Sequence, residues 1–326
     1  MKAITQNSIG NAETMYIGEV DIPVLRENEV MVQVKAFGVN RADILQRKGK
    51  YPSPAGASPL MGLEVAGIVA EAPVSSPWKI GDKVFGLIPG GGYASYVAID
   101  AEMLWRMPDT MSFEEAAAIP EAFLTAFLAL QWQGKLQRGQ KVLLHAASGG
   151  VGTAAIQLAN AMQAEIVVTA SASKHAICAK LGATVCIDYK TESWVDVVQE
   201  VMGKNSIDVV VDFLGASYFN DNISVLAMDG RMVMLALMGG ADVSGVDLRK
   251  IIGKRITVIG STLRNRPLSF QRKLAREFAE QFLPSFSDGR LQPIIDTVMD
   301  WNLIKEAHER MESNQHVGKI VMKVSE

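Results

Sequence analysis

The feature that most constrains the fold is an apolar strand that runs into a glycine-rich turn and then into a helical pattern. Residues 141–155 have the sequence KVLLHAASGGVGTAA. Small residues let the backbone approach a pyrophosphate, whose charge is stabilised by the N–H groups and dipole at a helix start. Ala146 stands near the first position of the usual Gly-x-Gly-x-x-Gly fingerprint, so the match is partial. An ordinary tight turn of another α/β protein is the alternative. We predict dinucleotide binding by Ser148, Gly149, Gly150, Val151 and Gly152.

Strand-like and helix-like segments alternate from residue 112 onward. Ser112 and Glu115 form a capping-box pattern that predicts a helix start. Strands are predicted at 141–145, 165–169, 184–188, 207–213, 231–237 and 256–259. Helices are predicted at 121–133, 152–162, 174–181, 193–202 and 218–228. This alternation implies right-handed βαβ units around a parallel sheet, as in a doubly wound Rossmann domain.

The two ends of the chain have a different character. Short strands punctuated by glycine and proline are predicted at 29–36, 63–72, 83–88 and 93–99, which favours a compact, barrel-like β domain. Amphipathic helices are predicted at 268–286 and 304–312, followed by a strand at 319–324. We expect this last strand to return to the first domain.

Composition excludes several classes of protein. The 326 residues carry a net charge of −3 and are 48% hydrophobic, which is ordinary for a soluble protein of about two domains. No basic patch indicates nucleic-acid binding, no apolar run reaches the roughly 18 residues of a membrane helix, and the N-terminus does not resemble a signal peptide. We therefore expect a cytoplasmic protein with neither nucleic-acid nor membrane partners. The two cysteines and four histidines lack metal-site spacing, and His145 is interpreted as a structural histidine.

The end of the second predicted strand of the alternating region indicates the cofactor. NAD sites usually place Asp or Glu about 20 residues past the glycine motif, to bind the ribose. Residues 168–175 contain no acid. Ser171 and Ser173 can instead donate to a 2′-phosphate and Lys174 can neutralise it, while Tyr189 can pack beside the adenosine. The prediction is therefore NADPH, and the alternative is that Lys174 merely begins a solvated helix.

A set of ordered motifs resembles a known family over the full length of the chain. The motifs are NRAD at 40–43, QRKGKYP at 46–52, GLEVAG at 62–67, GDKV at 81–84, AAAIPEAFLTA at 116–126, LMGG at 237–240 and GKIV at 318–321. Together they resemble the zinc-free quinone oxidoreductases of the medium-chain dehydrogenase/reductase superfamily, and most of all the tumour-suppressor-induced quinone reductases of animals and their bacterial relatives. The resemblance implies a β-rich GroES-like catalytic domain at 1–121 and 265–326, and a Rossmann NADPH-binding domain at 122–264. It also implies a nicotinamide cleft between these domains, and a homodimer.

The chain departs from the zinc-dependent branch of that superfamily at named positions. Zinc alcohol dehydrogenases have Cys where Asn40 stands, and a His-Glu pair after the glycine at position 62. Here that glycine is followed by Leu63 and Glu64. A catalytic zinc needs three protein ligands and an open position, which Glu64 alone does not supply. We therefore expect no metal.

The resemblance also implies roles for individual residues. Asn40 and Tyr51 are expected to face the substrate, with Asp43 orienting its neighbours. A turn asparagine and a rim aromatic are the alternatives for the first two. Besides the glycine turn and the residues named for NADPH, the expected cofactor contacts are Thr125, Phe213, Leu237, Met238, Gly239 and Lys319. Plain core packing is the alternative for Phe213, Leu237 and Met238.

These observations predict a zinc-independent NADPH:quinone oxidoreductase that acts on a quinone or activated carbonyl held in the interdomain cleft. Quinone oxygens accept charge readily, so the protein must mainly hold the reacting atoms in register and exclude water. One alternative is an NADPH-dependent reductase of enones or alkenals. Another is a non-catalytic, crystallin-like NADPH-binding protein.

Overall fold

The computed structural model describes residues 1–325, and the chain divides into two compact units. Unit 1 contains residues 1–124 and the chain from residue 263 onward, and unit 2 contains residues 125–262. None of the helices among residues 1–325 is long and apolar enough to cross a membrane.

Strands and helices alternate regularly only between residues 141 and 260. The strands are β1 (Lys2–Gln6), β2 (Met15–Glu19), β3 (Glu29–Val39), β4 (Glu64–Glu71), β5 (Lys83–Leu87), β6 (Tyr96–Asp100), β7 (Leu104–Arg106), β8 (Lys141–Leu144), β9 (Glu165–Ala170), β10 (Val185–Asp188), β11 (Ile207–Asp212), β12 (Leu226–Met234), β13 (Thr257–Gly260), β14 (Ile295–Asp300) and β15 (Lys319–Lys323). The helices are α1 (Arg41–Arg47), α2 (Phe113–Ala117), α3 (Pro120–Phe127), α4 (Gly150–Ala161), α5 (His175–Leu181), α6 (Trp194–Met202), α7 (Phe219–Val225), α8 (Leu248–Lys254), α9 (Leu268–Phe282), α10 (Pro284–Ser287) and α11 (Ile304–Glu312).

Unit 1 is built around the long strand β3. Its first half pairs antiparallel with β6 and its second half with β15, while β4 pairs along its other edge. The register between β3 and β4 shifts twice, which is the signature of bulges that bend a strand. The sheet order is β14-β15-β3-β4-β5-β7, and β1 pairs with β2 separately. The C-terminal strand β15 therefore joins the N-terminal sheet, which confirms the expected return.

Unit 2 is a six-stranded sheet in which every pairing is parallel. The order is β10-β9-β8-β11-β12-β13, so the chain order reverses between β8 and β11. The apolar side chains of β8, β9 and β11 are fully buried, as expected for strands that are covered on both faces. The carboxyl ends of these strands all lie at one edge of the sheet. A ligand of such a sheet binds outside that edge, at the point of reversal.

Three helix predictions need correction. The segment 268–286 is two helices, because Pro284 has no backbone N–H and its ring clashes with a preceding turn; it begins α10 instead. The helix predicted at 218–228 ends at Val225, and its last residues belong to β12. The helix predicted at 121–133 is α3 followed by a π-helical segment, Leu128–Gln133. Short elements that the sequence analysis did not identify are β1, β2, β7, β14, α1 and α8.

Candidate cofactor and active site

The glycine turn in unit 2 has the geometry of a phosphate cradle. Ala146 adopts a left-handed conformation after β8, and α4 follows Gly149, an N-cap that has no side chain to accept from the first N–H groups of the helix. A Cβ on Gly152 would lie 2.5 Å from the carbonyl carbon of Ala147, so only glycine lets the helix approach the strand this closely. A Cβ on Gly149 would meet nothing nearer than 3.6 Å. The uncapped start of a twelve-residue helix at the topological switch point fits the pyrophosphate of a dinucleotide.

The residues predicted to select NADPH lie at the same edge of the sheet. Ser171 directly follows β9 and precedes a 3-10 turn, Ala172–Lys174. Tyr189 directly follows β10, which is the next strand along, and its side chain is exposed. The structure therefore brings Ser171, Lys174 and Tyr189 to the edge that carries the glycine turn. Their contact with a cofactor remains a prediction.

The other predicted cofactor residues of unit 2 lie in two loops that are joined by backbone hydrogen bonds. The Met238 N–H donates to the Phe213 carbonyl at 3.0 Å, and the Gly239 N–H donates to the Leu214 carbonyl at 2.7 Å. Leu237 and Met238 are about half exposed, so these two side chains are not packed in the core. A Cβ on Gly239 would clash with the neighbouring loop. Thr125, also predicted, is half-buried within α3.

His145, at the end of β8, is a structural residue, as predicted. It is fully buried, its Nδ1 lies 2.9 Å from the Thr169 hydroxyl and its Nε2 lies 2.8 Å from the Asn222 side-chain oxygen. Because an amide oxygen only accepts, Nε2 carries the hydrogen. Burial lowers the pKa of His145 to about 4, so the ring is neutral near pH 7.

In unit 1, a buried ion pair fixes the side chain of Asn40. The Lys319 ammonium donates to Asn40 Oδ1 and Glu64 Oε1, both at 2.5 Å, and to the Val39 carbonyl at 3.2 Å. Asn40 Nδ2 donates to Glu64 Oε1 at 2.9 Å, and the Glu121 N–H donates to Glu64 Oε2 at 2.8 Å. All three ammonium hydrogens thus have protein acceptors. This geometry favours a positioning role for Lys319 over the predicted cofactor contact, which remains a prediction.

Asp43 binds the backbone N–H groups of Asn40 and Gly62. Its carboxylate accepts from the Asn40 N–H at 2.8 Å and from the Gly62 N–H at 3.0 Å, and with Asn40 it forms the capping box of α1. Burial raises the pKa of Asp43 to about 6, although these two hydrogen bonds act in the opposite direction. The fully buried carboxyl group of Asp43 therefore orients the start of α1.

A chain of buried hydrogen bonds leads to Asp43 from α11. The Arg47 guanidinium lies 2.8 Å from Glu312 and 3.1 Å from His308 Nδ1, and His308 Nε2 lies 3.1 Å from the Tyr93 hydroxyl. A guanidinium only donates, so Nδ1 of His308 accepts and Nε2–H donates to Tyr93. The Tyr93 O–H is then directed to Asp43; burial and this carboxyl raise the pKa of Tyr93 well above its ordinary value. Burial lowers the pKa of His308 to about 3, in agreement with a neutral ring.

Tyr51 is held by a buried arginine that the sequence analysis did not identify. The Arg264 guanidinium lies over the Tyr51 ring, 5.5 Å from its centroid. It also donates to Gln46 Oε1 at 2.7 Å, to the Ser53 hydroxyl at 2.9 Å and to the Pro89 carbonyl at 2.6 Å. Burial raises the pKa of Tyr51, so its phenol is a hydrogen-bond donor at neutral pH. Arg264 thus ties together three separate segments of unit 1 around this ring.

Glu121 is the second residue of unit 1 that the sequence analysis did not single out. Glu121 is the second residue of α3, a position where an acid ordinarily only complements the helix dipole. In the sequence, only its position inside the motif at 116–126 indicates that Glu121 belongs to the site. Burial, and then the nearby carboxylate of Glu64, raise the pKa of Glu121 to about 7.

Comparison with known proteins identifies the class. The description "Alcohol dehydrogenase GroES-like domain" matches residues 26–109, and "Zinc-binding dehydrogenase" matches residues 150–280. Quinone oxidoreductase-like protein 2 of Bos taurus is 30% identical over 316 residues, which cover 94% of this chain and 88% of that protein. The synaptic vesicle membrane protein VAT-1 homolog of Danio rerio is 32% identical over 318 residues, which cover 92% of this chain and only 65% of that protein.

Solved structures agree with this class. The quinone oxidoreductase of Escherichia coli complexed with NADPH has a TM-score of 0.88 and 29% identity, covering 99% of this chain and 100% of that chain. The CurK enoyl reductase has a TM-score of 0.85 and 28% identity, covering 99% of both chains. The chain therefore belongs to the medium-chain dehydrogenase/reductase superfamily. It is an NAD(P)-dependent oxidoreductase with a GroES-like domain and a Rossmann domain.

The residues of unit 1 do not fit the zinc that one of these descriptions mentions. Glu64 already binds the Lys319 ammonium, the Asn40 amide and a backbone N–H, and Leu63 beside it offers no ligand atom. Within residues 1–325, no group of three or more His, Cys, Asp or Glu side chains is arranged to hold a metal ion. A second cation beside the buried ammonium would be repelled.

Proposed function

We propose that the chain is an NADPH:quinone oxidoreductase that works without zinc. The observation that carries this proposal is the buried contact of Lys319 with Glu64 and Asn40. A zinc alcohol dehydrogenase uses a Lewis acid at its substrate oxygen, whereas reduction of a quinone needs mainly a hydride donor and correct positioning. The Lys319 ammonium binds the Glu64 carboxylate, which such a Lewis acid would need as a ligand. Quinone reduction is therefore the reaction that the site supports best.

NADPH supplies a hydride when bound, and we propose that unit 2 selects it over NADH. The uncapped start of α4 binds the pyrophosphate, while the Ser171 hydroxyl donates to the 2′-phosphate and Lys174 neutralises it. Tyr189 packs beside the adenosine. The NADPH in the similar E. coli structure supports this assignment.

In unit 1, we assign the substrate to Asn40 and Tyr51. One hydrogen of the Asn40 amide is committed to Glu64, whereas the contact of Nδ2 with the Gly38 carbonyl is long, at 3.4 Å. The second hydrogen is thus the donor that we assign to a substrate oxygen. The Tyr51 ring offers a face for a planar quinone and a phenol donor. Asp43 and Lys319 hold Asn40 in place, so little reorganisation accompanies the reaction.

A second candidate function is the reduction of an activated carbon–carbon double bond in an enone or alkenal. The similarity to an enoyl reductase over the whole chain favours it, since that reaction also begins with a hydride from a nicotinamide. Both reactions need the same cofactor site, so only the substrate separates them.

We also propose a homodimer in the cytoplasm. Strand β13 lies at the end of the unit 2 sheet order, and its backbone pairs only with β12 among the described residues. A sheet edge of this kind can pair with a second copy. Light scattering of the purified protein would give the mass of the assembly, and a monomer would contradict the proposal.

The test of function is the consumption of NADPH or NADH with a panel of ortho- and para-quinones and a matched panel of enones, all in EDTA. We expect turnover with quinones that EDTA does not inhibit and that is faster with NADPH. Turnover with enones alone would replace the proposed function with the second candidate. NADPH binding without turnover on either panel would contradict both and favour a binding protein.

A further inference from the structure

Two side chains of unit 1, those of Arg264 and Gln46, bind the same hydroxyl group, that of Ser53. Arg264 Nη2 lies 2.9 Å from Ser53 Oγ, and Gln46 Nε2 lies 3.2 Å from the same atom. Arg264 Nη2 also donates to Gln46 Oε1 at 2.7 Å, so the three side chains form a closed ring of contacts. Ser53 is half-buried, and it lies two residues after Tyr51 in the loop between α1 and β4.

The direction of each hydrogen bond in this ring is fixed by its partners. A guanidinium only donates, so the Gln46 atom that faces Arg264 is the amide oxygen. The amide nitrogen of Gln46 faces the Pro59 carbonyl, to which it donates at 2.8 Å, and Ser53 Oγ. Arg264 and Gln46 are thus both donors to Ser53, and a hydroxyl oxygen has two lone pairs and one hydrogen. Because both lone pairs accept, the hydroxyl hydrogen of Ser53 points away from Arg264 and from Gln46.

The same guanidinium holds the aromatic residue that we assign to the substrate. Arg264 lies over one face of the Tyr51 ring, 5.5 Å from its centroid, and leaves the other face to a planar substrate. It also donates to the Pro89 carbonyl at 2.6 Å. Arg264 is buried, so it cannot turn without breaking all these contacts. Tyr51 and Ser53 therefore share one fixed partner, and their two hydroxyl groups belong to the same side of the substrate site.

We propose that the Ser53 hydroxyl donates a hydrogen bond to a substrate oxygen, with Arg264 and Gln46 as the positioning residues that direct it. This inference rests on the proposed function. A quinone oxygen gains negative charge as the hydride arrives, and a donor that is already in place stabilises this charge. Hydrogen bonds in a chain polarise one another, so the cationic donor on Ser53 Oγ strengthens the bond that Ser53 gives. The hydrogen stays on Ser53, and no proton is transferred.

The first test compares Ser53→Ala with Ser53→Thr and with Ser58→Ala as the matched control. Ser58 is another half-buried serine of the same loop, and its hydroxyl accepts from the Leu60 N–H at 3.3 Å. We expect kcat/KM for quinone reduction to fall about tenfold in Ser53→Ala, as for the loss of one hydrogen bond to a charged oxygen. Most of this loss should be in kcat, because the bond strengthens as charge develops. Ser53→Thr should restore the rate, and Ser58→Ala should keep it.

Gln46→Glu tests the direction of the hydroxyl group without removing it. The carboxylate places an acceptor where Gln46 Nε2 donates, so it captures the Ser53 hydrogen, while its other oxygen still accepts from Arg264. We expect Gln46→Glu to lower kcat/KM about as much as Ser53→Ala does. The double variant should lose no more than either single variant, because each change removes the same hydrogen bond to the substrate. Losses that add would show that the two residues act separately, and would overturn the inference.

A binding measurement separates this inference from the proposed function. Enzyme saturated with NADP⁺ is titrated with tetramethyl-1,4-benzoquinone, and binding is followed by quenching of tryptophan fluorescence, so no turnover is needed. We expect the dissociation constant to rise about threefold in Ser53→Ala, as for one hydrogen bond to a neutral carbonyl, and to stay unchanged in Ser58→Ala. If the wild type binds the quinone without reducing it, the proposed function fails and this comparison still tests the inference. The inference is overturned if Ser53→Ala keeps the wild-type dissociation constant and kcat/KM, or if the wild type binds no quinone.

Discussion

The ion pair of Lys319 with Glu64 should make a large contribution to stability. The Lys319 side chain is 5% exposed and the Glu64 side chain is fully buried. Removing one partner of such a pair leaves an uncompensated charge and costs about 3–5 kcal/mol. Glu64 keeps two N–H donors, from Asn40 and Glu121, when Lys319 is lost. We therefore expect Lys319→Met to lower the free energy of unfolding by about 3 kcal/mol, the lower end of that range.

Urea unfolding followed by tryptophan fluorescence measures this change. Lys323→Met, on the exposed end of the same strand, is the control and should change stability by less than about 0.5 kcal/mol. The double variant Lys319→Met/Glu64→Gln should recover about 1–3 kcal/mol relative to the sum of the single variants, because no buried charge remains. A loss below about 1 kcal/mol for Lys319→Met, typical of an exposed pair, would refute the reasoning.

Three further predictions follow from the cofactor site and the buried histidines. Gly152→Ala should lower the unfolding free energy, because its Cβ would lie only 2.5 Å from backbone atoms of Ala147. Gly149→Ala should leave the unfolding free energy unchanged and weaken NADPH binding, measured by calorimetry. Equal stability of the two variants would contradict this prediction. Lys174→Ala should weaken the binding of NADPH about tenfold or more and leave the binding of NADH unchanged, because it removes the charge partner of the 2′-phosphate. An equal loss of affinity for both cofactors would count against the assignment. The unfolded histidine gains its proton near pH 6.5, whereas folded His145 and His308 do so only at about 4 and 3, so both lower the unfolding free energy as pH falls below 6.5. Their contribution is about 1.4 kcal/mol per pH unit for each ring, and His308→Gln should reduce the slope by that amount in urea titrations at pH 4.5–6.5. An unchanged slope would show that His308 is already charged or exposed.

Much of unit 2 could be predicted because its signals are local. The glycine turn, the alternation of strands with helices and the missing acid after β9 all lie within short segments. The same locality explains why Ser171, Lys174 and Tyr189 could be placed at one edge, since parallel strands share the direction of their carboxyl ends. The break at Pro284 is also a local signal, because proline has no backbone N–H to continue a helix.

The polar interior of unit 1 could not be predicted in the same way. Arg47 and His308 are 261 residues apart in the chain, and Lys319 and Glu64 are 255 apart. No spacing rule connects such residues, because strand pairing and helix packing bring them together. Arg264 and Glu121 look like ordinary surface charges in the sequence. Only the fold shows that Arg264 is buried and that both residues interact electrostatically with Asp43.

The central claim is that this chain reduces quinones with NADPH and without zinc. The most direct measurement is the initial rate of quinone-dependent NADPH oxidation by enzyme that elemental analysis shows to be free of zinc, before and after zinc is added. We predict full activity in the zinc-free enzyme, with no increase on addition of the metal. Activity that appears only when zinc is restored would contradict the account, because the contacts of Lys319 with Glu64 and Asn40 would then have to be broken for catalysis.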